Sequence, residues 1–318
     1  MKAVTTNEPP IYRIAVPNPY FESDVNVWII AGRPLTMIDT GIGTPEALRA
    51  LEEGLQKHGF HLEEVEQVIL THKHPDHMGL AKVVGERSGA SVFVHQEDWP
   101  DVTHFQERRE HFLRVTLERL KDWGAPESEV DALKQALTLA GGLARSAPAE
   151  PLREGQRLVA GEGEIEVLHM PGHTQGSICL RYHDFLFSGD HLLPDYTPNV
   201  GAGDLERSGM LGRFLDSLSR LLSLQDGQLL VLPGHGQSIQ DPVSRIQHIL
   251  QHHRERDQAI LDALRTGPPR SVYEIAQALF GQLKSFHIVL GAGEVNAHLE
   301  LLEEKGLVFR SRRGYVLA

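Results

Sequence analysis

Short apolar runs alternate with longer amphipathic segments in the first part of the chain, which is the pattern of a mixed α/β protein. Runs at Ile11–Val16, Val25–Ile30 and 35–38 predict three successive strands, separated by turns rich in proline and glycine. Leucines at three- and four-residue spacing then predict a helix over 44–59, with a threonine cap and a proline in its first turn. A strand, a helix and a further strand are predicted next, at 65–70, 78–88 and 91–94.

This alternation is interrupted at about residues 99–145. Two amphipathic helices are predicted there, at 104–123 and Glu127–Leu139, with no strand between them. Such a helical insertion would either cover a cleft as a lid or pack on the flank of the sheet, and the pattern leaves both arrangements open. Strand patterning then returns in three runs, at 156–159, 165–170 and 177–182.

The last part of the chain is predicted to be mainly helical. Residues 208–224 show one strong apolar stripe, and 241–264 begin at an Asp-Pro cap. The sequence TGPP at 266–269 marks a linker. Beyond it, two helices and a two-stranded hairpin are predicted at 272–280, 292–305, 307–310 and 315–317. Two helices followed by a hairpin resemble a winged helix.

The second helix of this winged-helix-like module carries mainly acidic residues. It has one basic residue, Lys305, and four acidic residues, Glu294, Glu300, Glu303 and Glu304. In a winged helix this element enters a DNA groove, and phosphates would repel an acidic face. We therefore expect the module to be structural, or to form a wall of a substrate cleft, and not to bind nucleic acid.

The composition is typical of a soluble globular protein with one large and one small domain. The 318 residues are 41% hydrophobic and carry a net charge of −12, from 43 acidic and 31 basic residues. This balance argues against a general affinity for nucleic acid or anionic lipid. Cys179 is the only cysteine, so no intrachain disulfide can form. There is no signal-like start and no run of about eighteen apolar residues, so we expect a cytoplasmic protein without a membrane span.

The densest group of potential metal ligands follows the fourth predicted strand, where the sequence HKHPDH occupies 72–77. Side chains two residues apart in an extended segment share a face, so His72 and His74 can converge on one cation. Asp76 and His77 fall where the chain turns into a helix and can face a second point nearby. Imidazole nitrogens and carboxylate oxygens are the usual ligands of zinc and similar divalent metals. The segment therefore predicts a metal site.

Three further residues of ligand type occur downstream in similar settings. His173 follows the strand-like run 165–170, Asp190 closes an apolar run, and His235 follows another. Each lies beside glycine or proline, which lets the backbone bend. Any one of them alone would be typical of a loop or a cap, but the set of three after the HKHPDH segment indicates one shared site.

Together these motifs resemble the metallo-β-lactamase superfamily, in particular its glyoxalase II-like and β-lactamase-like-protein-2-like hydrolases. The resemblance covers roughly residues 10–240. It implies an α/β fold with an αββα sandwich as the catalytic domain at 1–240, interrupted by the helical insertion. The C-terminal unit at 241–318, a long helix plus the winged-helix-like module, favours the second of the two groups.

The resemblance also assigns roles to the ligand-type residues. It implies two divalent metal ions, and zinc is expected before iron or manganese. The implied ligands are His72, His74 and His173 for the first ion, Asp76, His77 and His235 for the second ion, and Asp190 as a bridge between the two ions.

Three more residues are candidates for supporting the site or contacting a substrate. Asp39, in a DTG turn after the third predicted strand, resembles the early motif of the superfamily, whose aspartate supports the ligand loop. The alternative is a simple Asp-x-Gly turn. His191 and Tyr196 lie in a proline-rich loop after Asp190, where they would either hydrogen-bond a substrate or pack the loop.

The implied activity is hydrolysis by a metal-bound hydroxide. Asp76 would both bind metal and orient the nucleophile, and would then pass its proton to the leaving group. A small acyl ester, thioester or lactone is the expected substrate, because the ligand-bearing loops contain few basic residues that could hold phosphates. Lys73 is the only basic residue in the first motif, and Asp195 and Asp204 add negative charge nearby.

Two other activities are left open. One is a metal-dependent phosphodiesterase or endoribonuclease, which the second group of relatives suggests. The other is a thiol or persulfide dioxygenase with a single iron. Asp76, Asp190 and His235 argue against it, because together they complete a second metal site. A non-enzymatic binding protein has little use for an open set of metal ligands. We expect a small-molecule partner, and leave a homo-oligomer open.

Overall fold

The computed structural model describes residues 10–19, 23–139, 142–224, 229–265, 267–268 and 270–318. The N-terminal residues 1–9, where a signal sequence was not expected, lie outside this description. So do two residues of the predicted linker, Thr266 and Pro269. Within the described part of the chain, no helix combines the length and apolarity that crossing a membrane requires.

Two sheets form the centre of the molecule. The first has six strands in chain order: β1 (Ile11–Val16), β2 (Val25–Ile30), β3 (Thr36–Ile38), β4 (Gln67–Ile69), β5 (Ser91–His95) and β6 (Glu150–Leu152). β1, β2 and β3 pair antiparallel, whereas β3 to β6 run parallel. The second has the order β11, β10, β9, β8, β7, with bounds β7 (Arg157–Ala160), β8 (Gly163–His169), β9 (Ile178–Tyr182), β10 (Phe185–Gly189) and β11 (Leu230–Pro233).

Ten helices surround the sheets or extend from them in the described residues. They are α1 (Pro45–Lys57), α2 (Pro75–Met78), α3 (Ala81–Ser88), α4 (Trp99–Thr103), α5 (Phe105–Asp122), α6 (Glu127–Leu139), α7 (Met210–Ser223), α8 (Pro242–Arg265), α9 (Val272–Phe280) and α10 (Phe286–Glu304). After α10, β12 (Val308–Ser311) and β13 (Gly314–Leu317) form a separate antiparallel hairpin.

The two sheets pack face to face, and helices cover their outer faces. Residues of both sheets, among them Trp28, Ile69 and Phe187, share one buried cluster between the sheets. A second cluster joins the other face of the first sheet to α1 and α3, and a third joins the second sheet to α7 and α8. Strands such as β2 and β4 are buried along their whole length, because each face of their sheet is covered by another layer. The predicted mixed α/β fold is confirmed.

The helical insertion and the C-terminal helices share a core of their own. Leu120 and Trp123 of the insertion lie in one buried cluster with Ile275 of α9 and Val289 of α10. The backbone supports the same contact, because the amide of Tyr273 donates to the carbonyl of Trp123 at 3.0 Å. Helices α5 and α6 therefore pack on the C-terminal unit, and only the short α4 and its flanks join the core of the first sheet.

The start of α10 was predicted wrongly, at 292 in place of Phe286. Glycines weaken a helix, so the pattern around Gly291 and Gly293 favoured a break there. In the structure both glycines lie inside the helix. A Cβ on Gly293 would come within 3.1 Å of the carbonyl oxygen of Gly201, so the missing side chain lets α10 approach the 201–202 backbone. Tertiary packing thus outweighs local propensity at this point.

Candidate metal centre

The seven ligand-type residues come together at one edge of the sandwich. The segment bearing His72 and His74 follows β4, and His173 follows β8. Gly189 of β10 pairs with Pro233 of the parallel neighbour β11, so Asp190 and His235 leave adjacent strands at the same edge. The carboxyl ends of these strands therefore deliver the side chains to a common point.

Three overlapping groups of these residues have ligand atoms within 4.8 Å of one another. They are His72, His74 and His173; His72, His77 and Asp190; and Asp76, His77 and His235. In the first group, Nδ1 of His74 lies 3.1 Å from Nε2 of His72 and 3.0 Å from Nε2 of His173.

The carboxylate of Asp190 lies between the first and third groups. Its Oδ2 is 3.7 Å from Nε2 of His173 and 3.6 Å from Nε2 of His235. Its Oδ1 is 3.3 Å from Nε2 of His77. The carboxylate of Asp190 is therefore close to histidines of both groups.

The hydrogen bonds of the histidine rings fix where their lone pairs point. Nδ1 of His77 donates to Oδ2 of Asp39 at 2.9 Å. Nδ1 of His173 donates to the carbonyl of Asn199 at 2.9 Å, and Nδ1 of His235 donates to the carbonyl of Asp24 at 3.0 Å. In a neutral ring this leaves Nε2 as the acceptor. In the neutral form that binds metal, each of the three Nε2 atoms therefore presents a lone pair toward the site.

These lone pairs face carboxylate oxygens, which is an arrangement that needs a cation. Nε2 of His77 and Oδ1 of Asp190 are buried, and neither has a hydrogen-bond partner in the part of the chain that the structure describes. A lone pair and an anionic oxygen at such distances repel each other unless a proton or a metal ion lies between them. Converging imidazole and carboxylate donors of this kind fit divalent metal ions.

The electrostatic environment differs between the two halves of the site. Burial lowers the pKa of His72, of His173 and of His74, the last to about 3, so these rings are neutral and ready to bind metal. At His77 burial acts in the same direction, but the carboxylates of Asp190, Asp39 and Asp76 outweigh it and raise the pKa well above its usual value. The second half therefore lies in a strongly negative field, which favours a cation.

Comparison with known proteins identifies the family. The model of the metallo-beta-lactamase superfamily matches residues 21–235. The chain belongs to the metallo-beta-lactamase superfamily. The membership predicted from the sequence is confirmed, and with it the assignment as a metal-dependent hydrolase.

Individual members of the superfamily resemble the chain over most of its length. The probable metallo-hydrolase YqjP of Bacillus subtilis is 31% identical over 300 residues, which is 92% of each chain. Human MBLAC2, named an acyl-coenzyme A thioesterase, is 28% identical over 241 residues, covering 68% of this chain and 75% of MBLAC2. A metallo-beta-lactamase family protein from Thermus thermophilus superposes with a TM-score of 0.83 at 31% identity, over 97% of this chain and 98% of that one.

Asp39 lies beneath the ligand loop of this metallo-β-lactamase fold. Besides the bond from His77, its carboxylate accepts the backbone amide and the hydroxyl of Thr71, each at 2.8 Å. Asp39 is buried and has a positive φ of 58°. Since an unpaired buried carboxylate is costly, three donors to one side chain indicate a supporting role. Of the two alternatives, the structure favours support of the loop over a simple turn.

His191 and Tyr196 have different surroundings. His191 is buried, with its ring edge against Phe214 at a centroid distance of 5.1 Å. Neither ring nitrogen has a hydrogen-bond partner among the described residues, and burial lowers its pKa to about 3. The structure therefore favours packing of the loop for His191. Tyr196 is 44% exposed, so it stays a candidate for contacting a substrate.

Two asparagines at the site were not found from the sequence. The amide of Asn18 donates to Oδ2 of Asp76 at 3.2 Å, and the carbonyl of Asn199 orients His173. Asn18 stands between two prolines, which indicates a turn but not what the side chain touches. Neither contact is local in sequence, so no pattern in the chain predicts it.

Proposed function

We propose that the chain is a hydrolase of small acyl compounds, with a thioester as the preferred substrate and esters and lactones as alternatives. The observation that carries the proposal is the convergence of the seven ligand-type side chains in three overlapping groups. The acyl-coenzyme A thioesterase named among the relatives supports a thioester.

The residues divide naturally between two zinc ions. His72, His74 and His173 would hold the first, Asp76, His77 and His235 the second, and Asp190 would bridge them. Bound there, two divalent ions would polarise the substrate carbonyl and make a water acidic enough to attack near neutral pH. A complete second set of ligands is also the reason to prefer this function over a single-iron dioxygenase.

Asp76 would orient the attacking water. Its Oδ2 accepts the amide of Asn18 at 3.2 Å and lies 3.5 Å from Nε2 of His235. The carboxylate is therefore held in one orientation at the edge of the site. Asp76 would take up the proton of the attacking water and pass it to the leaving thiolate.

The charges around the site favour an acyl substrate over a nucleic acid. A nuclease needs exposed lysine or arginine to hold several phosphates. Lys73, the basic residue of the first motif, is turned inward, where it pairs with Asp204 and lies 3.6 Å from Asp101. Its side chain is only 11% exposed and is not available to a phosphate.

We further propose a division into a catalytic domain at 1–240 and a C-terminal unit at 241–318 that acts as a wall of the cleft. The unit reaches the site through the loop that follows Asp190, because the side-chain amide of Asn199 donates to the carbonyl of Leu290 in α10 at 3.1 Å. The winged-helix description of this unit stays a prediction.

A substrate panel tests the function. The purified protein, with its metal content measured, is assayed on acyl-coenzyme A and glutathione thioesters, lactones, an activated phosphodiester and single-stranded RNA. We expect a thioester to exceed RNA in kcat/KM by at least about a hundredfold, equivalent to roughly 2.7 kcal/mol of transition-state stabilisation. Equal or faster cleavage of RNA, abolished by Asp76→Ala, would establish the nuclease alternative.

A further inference from the structure

Lys73 stands between two proposed ligands of the first ion, His72 and His74, yet its side chain points away from solvent. Its Nζ is paired with Asp204, and Asp101 lies 3.6 Å away. An ammonium group next to a metal site therefore has its charge balanced by carboxylates on other segments.

Asp98 connects the loop of His72 and His74 to the loop of His173. Its Oδ2 accepts the backbone amide of Lys73 at 3.0 Å and the hydroxyl of Thr174 at 2.7 Å. Its Oδ1 accepts the amide of Gly176 at 2.8 Å. The carboxylate is fully buried, so each of these bonds counts for more than it would in water.

Two details show that the surroundings are built around this carboxylate. Asp98 occupies the cap position of α4, where an aspartate side chain normally accepts the amides of the first helical turn, but here it makes no capping bond. Both oxygens are directed at the two loops. In addition, a Cβ on Gly176 would lie 2.5 Å from Cγ of Asp98, so only glycine lets the second loop close onto the carboxylate.

Asp204 makes the same connection from the opposite segment. Its Oδ1 binds Nζ of Lys73, and its Oδ2 accepts the amide of Gln175 at 2.5 Å. The preceding residue, Gly203, lies against His74, where a Cβ would come within 2.8 Å of the ring nitrogen Nε2. Each of the two loops is thus tied to both carboxylates.

We propose that Asp98 and Asp204, together with Lys73, act as positioning residues that hold the His72–His74 loop and the His173 loop at the spacing the first ion requires. We call these three residues the carboxylate clamp. The inference rests on the proposed function for the assignment of the first ion, but it makes no use of the substrate. Because the clamp determines how closely three imidazoles converge, its loss lowers the affinity for the first ion specifically.

The test measures metal binding in the full-length protein. Wild type, Asp98→Asn, Asp204→Asn, Lys73→Met and the double variant Lys73→Met/Asp204→Asn are titrated with Zn²⁺ against a chromophoric chelator. Each is also loaded with Co²⁺, whose visible absorption reports ligand geometry. Lys82 and Glu86, an ion pair 2.7 Å apart on α3, provide the matched control through Lys82→Met, Glu86→Gln and their combination.

We expect Asp98→Asn and Asp204→Asn to lower the affinity for the first ion by about tenfold to a hundredfold, the usual range for residues that hydrogen-bond metal ligands. Both variants should also change the Co²⁺ spectrum. The double variant should lose no more affinity than Asp204→Asn alone, because either change already breaks the same link. The control variants should match wild type in affinity and spectrum.

A purely structural role predicts a different result. It would lower the unfolding temperature of the metal-free protein while leaving Zn²⁺ affinity and the Co²⁺ spectrum of the folded variants unchanged, and that outcome overturns the inference. If Asp98→Asn does not fold, Thr174→Val takes its place, because it removes one donor to the same carboxylate. Unchanged Zn²⁺ affinity in both Thr174→Val and Asp204→Asn also overturns the inference. A wild type that binds two ions but hydrolyses no thioester refutes the proposed function alone.

Discussion

The backbone carbonyl of Asn199 accepts a hydrogen bond from Nδ1 of His173 at 2.9 Å. The side chain of Asn199 donates to the carbonyl of Leu290, near the N-terminal end of α10, at 3.1 Å. One residue therefore orients a proposed metal ligand with its backbone and contacts the C-terminal unit with its side chain. We therefore expect a displacement of α10 to change the position of His173 through this residue.

Asn199→Ala removes the contact with α10 and keeps the carbonyl that binds His173. We expect the free energy of unfolding to fall by about 1 kcal/mol, the usual contribution of one hydrogen bond. Zn²⁺ affinity should fall as well, because the carbonyl is less firmly held. Chemical denaturation and a chelator competition measure the two effects. Asn296→Ala, which removes the 2.9 Å bond to Glu300 elsewhere on α10, is the control and should leave metal affinity unchanged.

The double variant His72→Ala/His74→Ala removes two of the three side chains proposed for the first ion. Elemental analysis should show close to two ions per chain in wild type and close to one in the variant, because His77, His235 and Asp76 are untouched. His111→Ala, on the surface of the helical insertion, is the control for losing an imidazole. Two ions retained with full activity in the double variant would show that the ligand assignment is wrong.

The burial of His253 should make the protein less stable in acid. This residue is buried in α8, and burial first, then His298 and His252, lower its pKa to about 3. In the unfolded chain its pKa is about 6.5, so between these values the unfolded state binds more protons than the folded state. The stability is therefore lost as pH falls below about 6.5, by roughly 2 kcal/mol at pH 5.

His253→Leu removes this proton-linked contribution. The difference in unfolding free energy between pH 7 and pH 5, measured by urea denaturation, should be smaller in the variant than in wild type. His248→Leu changes an exposed histidine on the same helix and should keep the wild-type difference. An identical pH profile for His253→Leu and wild type would show that His253 is not the group responsible.

Deletion of residues 268–318 should produce a poorly soluble protein. It removes the partners of Leu120, Trp123 and Leu133 in the shared core, and leaves a large apolar face on the helical insertion. Soluble yield and binding of a hydrophobic dye measure the exposure. A truncated chain that stays monomeric and fully active would show that the C-terminal unit is dispensable.

The sequence predicts the strands well, and also the position of the ligand-type residues at strand ends, because both depend on local patterns. His72, His173 and His235 each follow a short apolar run, and strand ends are where α/β folds collect functional side chains. The clamp residue Asp98 gives no such signal, since it acts on two loops distant in the chain. The short edge strand β6, with proline at its centre, also lacked a recognisable strand pattern.

The shared core also bears on how the chain is made. During synthesis α5 and α6 leave the ribosome well before α9 and α10, which cover them. Their apolar faces, including Leu120 and Trp123, therefore stay uncovered in the nascent chain until its last segment emerges. By then all strands of the two central sheets have been synthesised, so folding is completed by the packing of these helices. A chaperone would therefore have the longest access to this part of the molecule.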